Sequence, residues 1–284
     1  MYNLLKQFFY KELKKYNFIM IIYVRFYLFI RINIAKNKDY KNVRITKIND
    51  SYLLEDGEDK FQIYHLNKIL RYLKGIKFSQ EGTIIGYGYG DFFNLEPGSY
   101  VLNIGANVGE VSIALLRKNL NVIAVEPDLI QFNLLKKNIL FYKKNIKSKA
   151  TCELYNFALS NEEEVKEFYS MAEHNDSTLI KPKVDKLNRY KISSIKTRKI
   201  SSVFANKKID LIIGDVEGHE PQILIGAGEK LKNVKYVCLD CSYENNGKST
   251  IEEVTKILKF NNFTIINNPY ENIRFTVIGK NNNI

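Results

Sequence analysis

Apolar residues follow two alternating spacings from residue 98 to residue 284. Short runs rich in valine, isoleucine and leucine predict buried strands, and the longer segments between them predict helices near 108–118, 128–144, 219–231 and 249–261. The strands are expected at YVLNIG, NVIAVEP, CELYNFALS, IDLIIGDVEG, VKYVCLDCSY, FTIINN and RFTVIGK. Strands that alternate with helices predict a parallel sheet covered on both faces. The last two strands have no helix between them and add an antiparallel edge.

Two smaller regions precede this α/β domain, which spans residues 98–284. Residues 1–35 predict one or two helices. Residues 36–97 mix short strands, at VRITKI and SYLLEDG, with a helix at YHLNKILRYLKG. The predicted organisation is an N-terminal helical segment, a small α+β lead-in region and a main domain.

The segment FIMIIYVRFYLFI, residues 18–30, is the one membrane-like stretch of the sequence. It is shorter than the roughly 20 residues that a spanning helix needs, and Arg25 lies near its middle. Two interpretations remain open. The helix lies on a membrane surface, with flanking lysines near lipid headgroups, or its apolar face packs on the main domain or on a second subunit.

The net charge of +12 is concentrated near the N-terminus. Residues 1–50 contain eleven lysines and arginines and three acidic residues. A basic end of this kind indicates contact with an anionic surface, or a solvated helix. The basic residues cluster away from the candidate site described below, and no recognised RNA-binding module is present, so nucleic acid is not an expected partner. The sequence does not indicate the oligomeric state.

The three cysteines, Cys152, Cys238 and Cys241, do not form a disulfide framework. Cys238 and Cys241 make a C-x-x-C motif inside an apolar predicted strand, and no second pair of ligands has zinc spacing. We therefore expect core cysteines, no metal site and a reducing compartment. A cytoplasmic location follows, with peripheral membrane contact through residues 1–35 as an open possibility.

Three chemistry-bearing stretches follow predicted strands and are expected to meet at the carboxyl edge of the sheet. The first is the glycine-containing turn 105–109, GANVG, in which glycine lets the backbone turn tightly and approach a ligand. The second is Glu126-Pro127-Asp128, where an acid can accept hydrogen bonds from both ribose hydroxyls. The third is the stretch 215–220, DVEGHE, with several titratable groups.

The ligand predicted for this edge has a ribose and no pyrophosphate. A dinucleotide fingerprint needs glycines at 105, 107 and 110, but the chain has Asn107 and Glu110 at the last two positions. Glu110 would also oppose a pyrophosphate at the helix N-terminus. S-adenosylmethionine, which contains adenosine and lacks phosphate, fits better than a nicotinamide dinucleotide.

The blocks VLNIGANVGEVS, VIAVEPD, NFALSN and DLIIGDVEGHEPQILIGA, in this order and spacing, resemble the FkbM family of S-adenosylmethionine-dependent methyltransferases. The resemblance covers about residues 80–245. It implies a class I methyltransferase (Rossmann-like) α/β fold with a seven-stranded, mostly parallel sheet whose last strand is antiparallel. It also implies O-methylation, often of a sugar hydroxyl in a glycan or of a small-molecule acceptor.

Carried over residue by residue, the resemblance assigns the cofactor to three parts of the chain. Glu126 would hold the ribose, the stretch 156–158 would lie near the adenine, and Asp215 would lie near the sulfonium and the acceptor. The residues expected to bind the cofactor are Asn103, Gly105, Ala106, Asn107, Val108, Gly109, Glu126, Pro127, Asn156, Phe157, Ala158 and Asp215.

A sugar hydroxyl has to lose its proton during methylation, and a base can assist. His219 is the candidate with a suitable ordinary pKa, and Asp215 and Glu217 are the other candidates. The alternative for His219 is a residue that caps the helix before Pro221. We expect the acceptor pocket to be built by the loops 86–97 and 170–200, with residues 170–183 as a lid or acceptor loop.

The sequence departs from the family pattern at Asn103, where Asp is usual, and at Ile213, where Lys is frequent. An amide binds a cationic ligand less strongly than a carboxylate does. These departures suggest, as an alternative function, a degenerate methyltransferase fold that serves as a binding or assembly module. The net charge suggests a nucleic-acid methyltransferase, which ranks third.

Overall fold

The structure is a computed structural model that describes residues 17–34, 36, 40–146, 148–171, 177–271 and 274–284. Residues 1–16 and 35 of the predicted basic N-terminal segment lie outside the described residues. Residues 172–176 of the predicted acceptor loop also lie outside them. None of the described helices combines the length and the apolar character that crossing a bilayer requires.

The first described helix, α1 (Asn17–Phe29), continues into a π-helical turn at Ile30–Ile34. Val24 and Leu28 are buried in the same apolar cluster as the lead-in strands and the main domain. Ile22, Phe26 and Phe29 are more than half exposed. One face of the helix therefore packs on the protein, as the second interpretation of this segment predicts, while another apolar face stays in solvent.

The lead-in region is an antiparallel meander followed by two helical segments. Its elements are β1 (Arg44–Ile48), β2 (Ser51–Asp56), β3 (Asp59–Ile63), a 3-10 helix (Leu66–Tyr72) and α2 (Ile76–Gly86). The predicted strands are confirmed, and the predicted helix is confirmed as a 3-10 helix. Helix α2 was not predicted, because its buried positions Ile76, Gln80 and Ile84 include a polar residue that hides the apolar period.

The lead-in region shares its core with the main domain. Asn138 makes the polar connection: its Oδ1 accepts a hydrogen bond from the Gln62 backbone N–H at 2.6 Å. Its Nδ2 donates to the carbonyls of Gln62 and Val108, each at 2.8 Å. Because Asn138 is fully buried, these bonds are shielded from water and hold strand β3 against the turn that follows the first strand of the main sheet.

The main domain alternates strands and helices as predicted. Its strands are β4 (Tyr100–Ile104), β5 (Asn121–Val125), β6 (Cys152–Tyr155), β7 (Ala158–Leu159), β8 (Val165–Ser170), β9 (Lys191–Arg198), β10 (Leu211–Gly214), β11 (Tyr236–Asp240), β12 (Phe263–Ile265) and β13 (Thr276–Asn281). Its helices are α3 (Glu110–Arg117), α4 (Leu129–Asn145), α5 (Ile200–Val203), α6 (Glu220–Ala227) and α7 (Ile251–Phe260). Short 3-10 helices occupy Val184–Arg189 and Gly228–Asn233.

Seven strands form the main sheet in the order β12-β13-β11-β10-β4-β5-β6. Strand β13 runs antiparallel to both of its neighbours, and the remaining neighbours pair in parallel. This is the mostly parallel sheet with an antiparallel last strand that the sequence predicted. The strand order reverses direction between β10 and β4, and this switch point is where open α/β sheets bind ligands.

Apolar side chains alternate between the two faces of the sheet, as the pleat of a strand requires. In strand β10, Leu211 and Ile213 belong to one buried cluster and Ile212 to the other. Cys238 and Cys241 are fully buried free thiols, which confirms the prediction of core cysteines. Burial raises the pKa of both thiols well above the ordinary value, so they stay protonated at neutral pH.

A second sheet, in the order β7-β9-β8, corrects two sequence predictions. The predicted strand CELYNFALS divides into β6 and β7, and β7 leaves the main sheet to pair with β9. The predicted loop 170–200 contains β9, which pairs antiparallel with β8. Strand β9 is exposed along most of its length, so its sequence KISSIKTR carries no apolar alternation to indicate a strand.

Candidate active site

The turn after strand β4 lies directly against the turn after strand β10. Gly105 has φ +64°, and a Cβ atom built on it would stand 1.9 Å from the backbone oxygen of Asp215. Only glycine allows this approach, because every other residue carries that Cβ atom. The Ala106 N–H donates to the Val125 carbonyl at 3.0 Å, which ties the same turn to strand β5. The three chemistry-bearing stretches of the sequence therefore meet at one edge.

Glu126 lies at the centre of this edge. Its Oε2 accepts a hydrogen bond from the Asn107 backbone N–H at 2.7 Å, and its Oε1 accepts one from the Asp128 N–H at 2.8 Å. Burial raises the pKa of Glu126 to about 8, and the two backbone donors oppose this rise. Each carboxylate oxygen has a second lone-pair direction, so Glu126 can still accept hydrogen bonds from a ligand.

Asp128 connects the cleft to the second sheet. Its Oδ1 caps helix α4 by accepting from the backbone N–H groups of Ile130 and Gln131, at 2.9 and 3.1 Å. Its Oδ2 accepts from the hydroxyls of Ser170 and Ser177. The capping carboxylate thereby holds the end of strand β8 and the residues after position 176 beside Glu126.

The stretch after strand β10 forms a tight turn that presents carboxylates. Glu217 and Gly218 have φ +54° and +93°. Glu220 is buried and serves the turn, because its carboxylate accepts from the Gly218 N–H at 2.9 Å and from the Thr250 hydroxyl at 2.6 Å. Burial raises the pKa of Asp215 to about 7, and the nearby Asp240 and Glu220 carboxylates add to the rise.

His219 is buried, and its Nε2 lies 3.1 Å from the hydroxyl oxygen of Ser160. The Ser160 hydroxyl donates to Asn161 Oδ1 at 3.1 Å, so the network assigns the proton of this pair to His219 Nε2. Nδ1 is then the acceptor nitrogen. Burial, followed by the charge of Lys166, lowers the pKa of His219 to about 4, which keeps the imidazole neutral at pH 7.

The alternative interpretation of His219 as a helix cap is wrong for its side chain. His219 stands at the N-cap position of helix α6, but the imidazole makes no capping hydrogen bond. His219 instead lines the central edge of the sheet together with Asp215 and Glu217. Its position is therefore consistent with a chemical role at the sheet edge.

A cleft with an empty volume of about 720 Å³ occupies this edge, and we call it the central cleft. The predicted site residues that line it are Gly105, Asn107, Glu126, Pro127, Ala158, Asp215, Glu217 and His219. The structure thus brings together the candidate bases, the predicted ribose acid and part of the glycine-containing turn.

The other predicted cofactor residues do not line the central cleft. Asn103 is buried in strand β4, where its Nδ2 donates to the Ser112 hydroxyl at 2.8 Å. Ala106, Val108 and Gly109 are buried within or beneath the turn. The Asn156 amide donates to the carbonyls of Glu126 and Pro127, at 2.8 and 2.9 Å. Phe157 packs against Tyr155 and Phe204.

Sequence reasoning missed one wall of the central cleft. Phe168 and the residues Ser177, Thr178 and Leu179 line it from the second sheet. Thr178 pairs with Tyr169 through two backbone hydrogen bonds of 2.9 Å, and its hydroxyl donates to the Glu217 carbonyl at 3.1 Å. The one indication of this wall in the sequence was the polar stretch 170–183, which predicted a loop near the site. The sequence did not show which residues of the loop contact the cleft.

The residues present fit S-adenosylmethionine. The central cleft has carboxylates at Glu126, Asp215 and Glu217, and no lysine or arginine is found among the described residues that line it. Carboxylates accept hydrogen bonds from ribose hydroxyls and attract a sulfonium cation, whereas a pyrophosphate requires basic or backbone donors. Apolar side chains, including Leu159 and Phe168, provide a surface for a base ring.

Asp215, Glu217 and Glu244 place carboxylate oxygens within 4.8 Å of one another. Among the described residues, this is the one group with a geometry that could hold a metal ion. The sequence predicted no metal site. A cluster of acidic residues alone does not identify a metal site.

The chain matches the model of the methyltransferase FkbM domain over residues 103–265, and it belongs to this family of methyltransferases. S-adenosylmethionine is the cofactor of this methyltransferase, and the central cleft contains the groups that suit it. The matched range includes all three chemistry-bearing stretches. The family assignment inferred from the sequence is thus confirmed.

Solved structures of methyltransferases show distant likenesses. A magnesium protoporphyrin IX methyltransferase from Synechocystis with bound SAM has 13% identity and a TM-score of 0.38, and the match covers 72% of this chain and 76% of that one. A ribosomal protein L11 methylase from Lactobacillus delbrueckii has 11% identity and a TM-score of 0.40, with the same coverage of 72% and 76%. No curated protein sequence matches the chain.

Proposed function

We propose that this methyltransferase transfers a methyl group to a hydroxyl oxygen, on a sugar of a glycan or on a small-molecule acceptor. The observation that carries the proposal is the neutral imidazole of His219 in the central cleft, with Nδ1 as its acceptor nitrogen. A hydroxyl must lose a proton as its oxygen is methylated, and a neutral imidazole can take that proton.

The bound cofactor supplies an activated methyl group on a sulfonium. The acceptor hydroxyl would release its proton as its oxygen takes that methyl group. His219 accepts that proton at Nδ1, while Ser160 holds the ring through Nε2. The side chain of Asp215 lines the same cleft as His219. Glu126 would hold the ribose, and the apolar residues Leu159 and Phe168 would pack against the bound cofactor.

The two departures from the family pattern do not support a degenerate site. Asn103 donates its amide hydrogen to Ser112, and Ile213 is fully buried in the core of the sheet. Neither side chain lines the central cleft. The nucleic-acid alternative is also unsupported there, because the described lining residues carry no lysine or arginine for phosphate contacts.

Replacing Glu126 by glutamine tests the cofactor site. The amide must turn a donor toward one of the two backbone N–H groups that now donate to the side-chain oxygens, and it offers one acceptor oxygen where Glu126 has two. We expect the affinity for S-adenosylmethionine to fall about 10- to 100-fold, because a buried donor is left unsatisfied and an acceptor for the ribose is lost. Titration calorimetry on the wild type and on Glu126→Gln measures the change.

Glu229→Gln is the control, because Glu229 is exposed and pairs with Lys232 on the surface. It should bind the cofactor like the wild type. Thermal unfolding of all three proteins checks that they are folded. Absence of cofactor binding to the folded wild type at millimolar concentration would overturn the proposed function.

We also propose that the exposed face of α1 contacts an anionic membrane surface. Ile22, Phe26 and Phe29 follow the i, i+4, i+7 spacing of one helix face and are 51%, 62% and 55% exposed. Residues 1–50 contain eight more positive than negative charges, which complements anionic headgroups. The opposite face, with Val24 and Leu28, holds the helix to the protein.

Vesicle sedimentation tests this contact. Wild-type protein should sediment with phosphatidylserine-containing vesicles, and the double variant Phe26→Ser, Phe29→Ser should lose at least tenfold in partition, because each phenylalanine contributes about 1.5–3 kcal/mol when buried in the interface. Phe260→Ser is the matched control, since Phe260 is 90% exposed on helix α7. Equal sedimentation of the double variant and the control, or none for the wild type, would show that this face does not bind lipid.

A further inference from the structure

A second cavity adjoins the central cleft, and we call it the side cavity. Its empty volume is about 820 Å³. Thr178 and Glu217 line both spaces, so the two meet at these residues. A group held in the side cavity would therefore lie next to the carboxylates of the central cleft. The described residues around Glu126 line the central cleft and do not line the side cavity.

Three chain segments converge to build the walls of the side cavity. The turn after strand β10 supplies Glu217, the segment before strand β9 supplies Ile180 and Tyr190, and the loop after strand β11 supplies Tyr243 and neighbouring residues. A Cβ atom on Gly218 would stand 2.9 Å from both the Asn245 nitrogen and the Ile180 Cδ1 atom. The segments are thus packed closely around the glycine.

Hydrogen bonds hold the loop after strand β11 in place. The Ser249 hydroxyl donates to the Cys241 carbonyl at 2.6 Å, and the Ser242 hydroxyl donates to the Arg274 carbonyl at 3.2 Å. The Asn246 amide donates to the Lys181 carbonyl across the cavity rim at 3.4 Å. The Tyr243 ring meets Phe275 edge to face at 5.3 Å between centroids. These contacts within the chain hold this wall of the side cavity in place without a ligand.

The chemistry of the walls selects among acceptors. Two tyrosine rings, Tyr190 and Tyr243, supply apolar faces with polar edges, and Glu217, Glu244 and Asn246 supply hydrogen-bonding groups. Two carboxylates against one ammonium, from Lys183, disfavour an anionic acceptor such as a phosphorylated one. A neutral ring with several hydroxyls suits these walls. Its C–H face can pack on an aromatic ring, its hydroxyls can donate to the carboxylates, and it carries no negative charge.

We propose that the side cavity is the acceptor site and that it takes a neutral pyranose ring, with the ring packed on Tyr243 and a hydroxyl directed at the junction near Glu217. This inference rests on the methyl transfer to oxygen proposed above. It adds the place, the contacts and the charge of the acceptor. The junction shared by the two cavities is where the methyl group passes to the hydroxyl oxygen.

Saturation-transfer NMR with methyl pyranosides tests the assignment. The probes are the methyl glycosides of glucose, galactose and mannose, with glucose 6-phosphate as the anionic comparison. We expect saturation transfer from the full-length wild type to at least one methyl pyranoside and none to the phosphate. Tyr243→Ala should reduce the transfer at least fivefold while leaving the cofactor affinity within twofold of the wild type.

Tyr270→Ala is the matched control, because Tyr270 is 57% exposed, against 55% for Tyr243, and does not line either cavity. Asn246→Gly provides a second variant that keeps the fold, since Asn246 has φ +52°, a conformation that glycine adopts readily. It should also weaken the transfer.

Two results would overturn the assignment: no transfer from the wild type to any of the three pyranosides, or transfer that Tyr243→Ala leaves undiminished. The sugar measurement needs no cofactor. Failure of the proposed function would instead appear as absence of cofactor binding in the calorimetry, so the two failures are distinguishable.

Discussion

Replacing Gly105 by alanine is expected to destabilise the protein by about 2–5 kcal/mol and to abolish measurable cofactor binding. The left-handed backbone costs an L-residue about 1–2 kcal/mol, and forced overpacking costs about 1–3 kcal/mol more. The added Cβ would meet the Asp215 backbone oxygen at 1.9 Å, so the turns after β4 and β10 must separate. Urea unfolding and cofactor calorimetry measure the two effects.

The variant Gly57→Ala measures the cost of the left-handed backbone alone, without the steric collision that Gly105→Ala introduces. Gly57 has φ +62°, close to the +64° of Gly105, but no atom lies within 4 Å of its Cβ position. Gly57→Ala should therefore lose only the left-handed penalty and should keep cofactor affinity. Equal losses of stability in the two variants would mean that the close approach of the two turns is absent.

Replacing His219 by alanine is expected to lower kcat by about 10²- to 10⁴-fold, the range for loss of a general base. The affinity for S-adenosylmethionine should stay within a few-fold, because Glu126 and the glycine-containing turn remain. Ser160→Ala should lower kcat less, since it removes only the group that orients Nε2. Initial rates with the pyranoside that the wild type methylates measure both changes.

The pH profile distinguishes the two neighbouring candidate bases. Burial lowers the pKa of His219 to about 4, so its neutral form persists across pH 5–8. Burial and nearby carboxylates raise the pKa of Asp215 to about 7, so that group loses its charge as the pH falls below 7. An acid limb near pH 4 is expected if His219 is the base. An acid limb near pH 7 that persists in His219→Ala would assign the proton to Asp215.

The main sheet and the centre of the site were predictable because their signals are local. Strand β10 is buried on both faces, which produces the apolar run LIIG at 211–214. The acid after strand β5 follows the glycine-containing turn at a spacing set by one helix and one strand. Strand ends of a parallel sheet share one edge, so Glu126 and Asp215 could be placed together without knowledge of their contacts.

The second sheet and the wall from Phe168 to Leu179 were not predictable in this way. Strand β9 is exposed and has no apolar period, and Thr178 reaches the site through backbone pairing with Tyr169, which any residue could make. The direction of a side chain within a buried strand was equally inaccessible. Asn103 was expected at the cofactor, and the structure shows its amide bonded to Ser112.

The amino-acid sequence alone was enough to predict the strands of the main sheet, the glycine requirement at position 105 and the identities of the acidic groups, because these depend on residue type and on spacing along the chain. The tautomer of His219, the side cavity and the two faces of α1 depend on groups far apart in the sequence that folding brings together. The glycines of the turn GANVG indicate that another segment of the backbone comes close to this turn. Only the packed structure identifies the partner in that approach, the carbonyl oxygen of Asp215.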